Sequence, residues 1–134
     1  KEGAMVHTYE INDEMEDLTR SWIKQSGLED KINFMIGDAN VLAPQQGIVF
    51  DMAFIDGDKR TYIETYEMTL SVLREGGFIL ADNTLWDGHV VDTQYDKDAQ
   101  TQGIRRFNDY LLADKRVEQI ILPLRDGLTI IRKK

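Results

Sequence analysis

The chain contains no cysteine. That excludes disulfides, thiolate zinc sites and cysteine nucleophiles. Proline is scarce, and no internal repeat or low-complexity linker interrupts the chain. No long apolar run is present, so neither a membrane span nor a signal peptide is expected, and a soluble cytoplasmic protein is the default. Basic residues are in the minority: 16 Lys and Arg stand against 24 Asp and Glu, a formal net charge of -8. This balance disfavours a purely electrostatic nucleic-acid binder, although a local basic patch stays compatible with it. What is present is ordinary globular material. A hydrophobic content of 42% in 134 residues suits one domain, residues 1–134, with one core.

The pattern of elements alternates strand and helix. Residues 4–11 read as a strand ending near Glu10. Asn12 or Asp13 can cap the helix that follows, with Glu14 and Glu16 in its favourable first turn. Met15, Leu18, Trp22 and Ile23 lie on one side of that helix, which stops at Gly27; the spacing predicts that Trp22 packs in the core. Residues 32–36 form a second strand, followed by the turn Gly37-Asp38-Ala39 and a short loop or helix to Pro44.

The chain is organised around residues 50–83. Two short apolar runs, 52–55 and 78–81, read as buried parallel strands. Between them, residues 61–75 carry Tyr62, Tyr66, Leu70 and Leu73 at helical spacing. In a strand–helix–strand unit both strand ends point the same way, and ligands bind outside those ends. Asp56 follows the first run, and Asp82 and Asn83 follow the second. Three hard oxygen donors at one sheet edge suggest Mg²⁺ or Ca²⁺ rather than zinc.

Beyond this unit, residues 84–101 form a long polar loop containing Trp86 and His89, of the kind that carries substrate contacts. Trp86 is suited to an aromatic wall for a flat acceptor or to a hydrophobic plug on the loop. His89 alone reads as a solvated loop histidine. Gln102 or Gly103 opens a helix with Ile104, Phe107 and Leu111 facing inward. Residues 117–122 and 128–132 are strands joined through Arg125-Asp126-Gly127. Asp-Gly between two apolar runs is a hairpin signal, so the final pair is expected to be antiparallel.

The sequence F-I-D-G-D-K followed in order by A-D-N-T-L-W resembles the S-adenosylmethionine-dependent, divalent-metal-dependent O-methyltransferases of the catechol and caffeoyl-coenzyme A type. The likeness runs through almost the whole chain, to D-G-L-T-I-I-R-K-K. It implies an α/β, Rossmann-like class I methyltransferase sheet, mostly parallel with a C-terminal antiparallel hairpin. It implies a methyl transfer from S-adenosylmethionine to a hydroxyl of a catechol-like or other vicinal-oxygen acceptor. It places Mg²⁺, or Ca²⁺ or Mn²⁺, on Asp56, Asp82 and Asn83. Lys59, which alone would read as a surface lysine, takes the place of the base that accepts the hydroxyl proton. Glu10, otherwise a solvated strand end, would hold the cofactor's ribose hydroxyls. Asp38 and Ala39 would lie beside the adenine, Asp56 and Asp58 would also touch the cofactor, and Trp86 would contact substrate.

The family's domain opens with a strand and a glycine-rich turn that cradles the methionine end of the cofactor. The resemblance begins at the family's second strand, so the chain reads as the later part of a larger catalytic domain. The absent strand lies mid-sheet in the family, between the strands of Glu10 and Asp56. Unpaired strand edges seek partners, so these 134 residues alone are expected to bind S-adenosylmethionine weakly and to associate as a homo-oligomer.

Three other readings compete. A tRNA 5-hydroxyuridine methyltransferase of the same family would grip phosphates with Arg105, Arg106, Lys115 and Arg116. A non-catalytic receiver-like domain would be phosphorylated on Asp56, but leaves Asp82 and Asn83 without a role. A catalytically dead piece would serve only in folding or oligomerisation.

Overall fold

Strand and helix alternate as the hydrophobic pattern predicts in the computed structural model, which describes residues 3–134. These residues group into two compact units, 1–47 and 48–134.

In the first unit, β1 (Val6–Glu10) pairs in parallel with β2 (Ile32–Ile36), placing Glu10 opposite Ile36. Helix α1 (Glu16–Ser26) connects them. The Asn12 side chain accepts the Glu14 N–H at the head of the turn leading into α1. Gly27 closes the helix with a left-handed φ of 67°, where a Cβ would be strained. Helix α2 (Ala39–Gln45) follows β2.

The expected burial of Trp22 is not found. Trp22 is 63% exposed, Leu18 and Met15 are also exposed, and α1 buries none of its residues. Helical spacing puts apolar side chains on one face; it says nothing about what covers that face.

In the second unit, β3 (Phe50–Ile55), β4 (Leu73–Asp82), β5 (Val117–Leu122) and β6 (Leu128–Lys133) form a sheet of order β3-β4-β6-β5. β3 and β4 are parallel; β6 runs antiparallel to both β4 and β5. Helices α3 (Tyr62–Val72) and α4 (Ala99–Ala113) supply the core. Tyr62, Tyr66 and Leu70 of α3, with Ile104, Phe107 and Leu111 of α4, pack with Ile55, Ile79, Ala81, Val117 and Ile131 of the sheet. Phe107 meets Tyr62 and Tyr66 edge-on, with centroids 5.2 and 5.9 Å away. Each such large side chain contributes roughly 1.5–3 kcal/mol by leaving water.

Element ends shift by a few residues, most at β4 and α4. β4 begins at Leu73, paired with Phe50 of β3, rather than at residue 78; Lys133 donates to the carbonyls of Leu70 and Leu73 where α3 ends. α4 begins at Ala99, where Asp98 accepts the Thr101 N–H at 2.7 Å as an N-cap. The strands read as buried on both faces are covered on one. Ile55, Ile79 and Ala81 are enclosed, whereas Phe54 is 58% exposed and Met52 and Phe78 are exposed too. Strand alternation separates these sets onto opposite faces.

A polar network ties α3 to the segment after α4. Tyr66 donates to Asp114 at 2.9 Å, and Arg116 bonds both Asp114 and Glu67. Hydrogen bonds from Arg116 hold the Asp114 carboxyl down to about 2, below its ordinary 3.8. A depressed folded-state value stabilises the fold above the unfolded value and ceases to do so as pH falls through the folded one. The Asp114 contribution is therefore expected to be lost between about pH 4 and pH 2. Asp114→Asn should cost about 1 kcal/mol at neutral pH, the low end of the range because Arg116 is half exposed. It should also flatten the acid limb of a thermal-unfolding profile; an unchanged limb would refute the assignment.

Candidate active site

β3 and β4 run side by side up to the pair Ile55–Ala81. Asp56, just past the end of β3, and Asp82, the last residue of β4, therefore stand at the same edge of the sheet. Asn83 follows in the left-handed region, φ 56°, with its N–H donated to Asp82 Oδ1 at 2.8 Å. Asparagine tolerates that region better than most residues.

The segment after Asn83 is held by the turn between β5 and β6. Thr84 N–H donates to Gly127 O at 3.0 Å, and Leu85 N–H to Asp126 O at 2.7 Å. Thr84 is fully buried and bonds Thr129 through its hydroxyl, while Asn108 of α4 donates to its carbonyl. Gly127 has a φ of 86°, and a Cβ there would come within 2.5 Å of Leu85. The Asp-Gly sequence thus both turns the hairpin and lets it approach the strand-end loop.

Lys59 follows Asp56 by one tight turn and is only 3% exposed. Its Nζ donates to Asp56 Oδ1 at 3.2 Å and to the Tyr62 hydroxyl at 2.6 Å. The ammonium lies 4.3 Å from the Tyr62 ring centroid and 5.8 Å from that of Trp86. Burial pulls its pKa below the ordinary lysine value, against the opposing pull of Asp56, Asp82 and Asp58. The Lys59 backbone is fixed too. Its N–H donates to Gln100 Oε1 at 2.9 Å, and Gly103 of α4 lies directly against its carbonyl.

Asp58 faces a different partner. It caps the turn at Lys59–Thr61 by accepting the Arg60 N–H, and both its oxygens accept from the Arg60 guanidinium. Those bonds hold its carboxyl well below the usual range.

Trp86 is half buried against the core, with a left-handed φ of 47°. The loop that carries it winds into short 3₁₀ turns at Trp86–Val91, kinked at Asp87 and Gly88, and at Thr93–Tyr95. Arg105 is the reason. Its guanidinium donates to the carbonyls of Val90, His89 and Asp92 and pairs with Asp96 at 2.6 Å. His89 stacks on Tyr95 with centroids 3.5 Å apart. Arg105 and Arg116, two of the four cations suited by charge to grip phosphates, are thus engaged with acceptors of the chain itself.

In the first unit, Glu10 ends β1, and its carboxylate accepts the Asn12 N–H at 2.8 Å. Its carbonyl accepts from Gly37, which leads to Asp38 and Ala39. Asp38 caps α2 through the Asn40 N–H at 2.8 Å. The side-chain oxygen of Asn40 is enclosed and has no hydrogen-bond donor. A buried acceptor of that kind needs a partner, which suits a ligand beside Asp38 and Ala39.

Several residues that build these sites carry no signal of it in the sequence. Tyr62 is legible there only as one member of a helical stripe. Gln100, Gly103 and Arg105 act across distances that no local pattern encodes. Asn40 sits next to the Asp38-Ala39 turn and was within reach of that signal.

A profile of the O-methyltransferase family matches residues 1–134. The chain belongs to this family. It is 35% identical over 137 residues to a probable caffeoyl-CoA O-methyltransferase 1 of Dictyostelium discoideum, covering 98% of this chain and 59% of that protein. It is 37% identical over 144 residues to tricin synthase 2 of Oryza sativa subsp. japonica, covering 98% of this chain and 49% of that protein. Among solved structures it is similar to the O-methyltransferase from Bacillus cereus in complex with SAH. There the TM-score is 0.91 at 31% identity, covering all of this chain and 64% of the other. The chain thus spans about three fifths of the length of several family members it matches. The Rossmann-like methyltransferase architecture expected from sequence is borne out by these neighbours. Among the described residues no helix is long and apolar enough to cross a membrane.

Proposed function

We propose that the chain belongs to an enzyme that moves the methyl group of S-adenosylmethionine to a hydroxyl of a small aromatic acceptor with vicinal oxygens, assisted by a divalent cation. The observation that carries this reading is the enclosed Lys59 ammonium beside Asp56 at the strand ends. Lysine is almost never fully buried without a partner or a task. Relatives named for caffeoyl-CoA methylation and a neighbour bound to SAH support the donor and an oxygen-bearing aromatic acceptor.

Among the described residues no three His, Cys, Asp or Glu side chains are grouped to hold a metal. The strand-end trio has two carboxylates, Asp56 and Asp82, and the amide of Asn83. That donor set fits a hard cation, Mg²⁺ foremost, with Ca²⁺ or Mn²⁺ as alternatives. When bound, the cation supplies Lewis acidity that lowers the acceptor hydroxyl's pKa. In its neutral amine form Lys59 accepts the hydroxyl proton at Nζ and becomes the ammonium. S-adenosylmethionine, when bound, would supply the methyl group to the acceptor oxygen, with the carbon–sulfur electron pair remaining on sulfur. Trp86 walls the flat acceptor. Glu10 takes the ribose hydroxyls through its carboxylate, and Asp38, Ala39 and Asn40 flank the adenine.

The test is a methyltransferase assay of the full-length protein against catechols, a caffeoyl thioester and hypomodified tRNA. Transfer to a vicinal diol is expected, abolished by chelator and restored by Mg²⁺. Asp82→Ala should raise the Mg²⁺ concentration needed by about tenfold or more. Full activity in chelator would overturn the cation assignment, and transfer to tRNA alone would overturn the acceptor.

A further inference from the structure

Tyr62 has a position that core packing does not explain. Its ring is 1% exposed and edge-on to Phe107, as a core phenylalanine's would be. Its hydroxyl, however, reaches the strand ends. It accepts from Lys59 Nζ at 2.6 Å and lies 2.8 Å from the Asp82 carbonyl and 3.1 Å from the Ile55 carbonyl. The single phenolic hydrogen is committed to those two carbonyls, so the oxygen meets Lys59 only as an acceptor.

Resting on the reading of Lys59 given above, we propose that Tyr62 is a positioning residue that orients the Lys59 nitrogen and sets the spacing of the two strand ends beside it. The orienting role follows from the direction of the bond. Tyr62 takes one Lys59 N–H, so a neutral amine held there keeps its lone pair turned away from the phenol. Nitrogen that could otherwise rotate is held in one orientation, which is the condition for a reactive alignment. The spacing role follows from the carbonyls. Ile55 immediately precedes Asp56, and Asp82 immediately precedes Asn83, so one hydroxyl braces the backbone on both sides of the oxygen donors.

The experiment uses the full-length protein and the assay above. Tyr62→Phe keeps the ring and removes the hydroxyl; it should lower kcat about 10–100-fold with KM for S-adenosylmethionine within about twofold. Because the orienting role acts through Lys59, the loss should shrink in a Lys59→Met background, whereas a merely structural role would add its full loss there. A second readout is independent of turnover: ¹⁵N relaxation of the Lys59 ammonium, identified by its disappearance in Lys59→Met. Restricted rotation in the wild type, released in Tyr62→Phe, is expected. A freely rotating ammonium in the wild type overturns the proposal, even if Tyr62→Phe does not fold. An inactive Lys59→Met beside a fully active Tyr62→Phe overturns this proposal alone. A fully active Lys59→Met overturns the underlying reading with it.

Discussion

Lys59→Met in the full-length protein is expected to lower kcat by about 10²–10⁴-fold, the usual worth of a positioned proton acceptor. Cofactor affinity should change little, because among the described residues the Lys59 side chain hydrogen-bonds to Asp56 and Tyr62. Stability should hold or improve. The methionine fills the same enclosed slot with an apolar chain and no ammonium to desolvate. Its former partners are not stranded: the Asp56 side chain is 54% exposed and regains water, and the Tyr62 hydroxyl keeps its backbone acceptors. Loss of turnover with an unchanged melting temperature therefore separates chemistry from folding. A turnover rate equal to wild type across the pH range would exclude Lys59 as the base.

Gly103→Ala should reach the same lysine from the other side. A Cβ at Gly103 would stand 2.3 Å from the Lys59 carbonyl oxygen, 2.7 Å from its carbon and 2.9 Å from Arg60 Cα. All three are backbone atoms, so no flexible side chain can yield. Either α4 lifts from the turn or the turn shifts outward. Overpacking of this kind costs about 1–3 kcal/mol, roughly 4–15 °C of melting temperature for a chain of this size. Unlike Lys59→Met, it should lower stability and kcat together, since the displaced turn carries Lys59. Gly57→Ala is the control, because its Cβ meets nothing within 4 Å. If Gly103→Ala melts like the control, helix α4 is not seated against the lysine as described.

Much of the fold was legible because its signals are local. Apolar runs of strand length, helical spacing between them, and Asp-Gly before the last strand each act within a few residues. The parallel sense of β3 and β4 then followed from connectivity alone, since a helix crossover joins them. That is why the order of elements suffices to assign Asp56 and Asp82 to one edge.

Sequence was silent or misleading wherever a property depends on what lies opposite. Trp22 sits on a clear apolar stripe yet is exposed, because a stripe marks a face and not its cover. Lys59 reads as a surface residue by composition and is buried, because Tyr62, Trp86 and the head of α4 close over it. Arg105 reads as a candidate phosphate contact and instead gathers the 89–96 loop by its carbonyls. In each case the deciding contacts join residues far apart in the chain, and no periodicity encodes them. The sequence by itself determined the order and type of the elements and the acidic ends of the two central strands. Tertiary packing decided which lysine loses its water, which phenol bears on it, and which loop is held rigid beside it, because desolvation and hydrogen-bond direction exist only once distant side chains have been brought together.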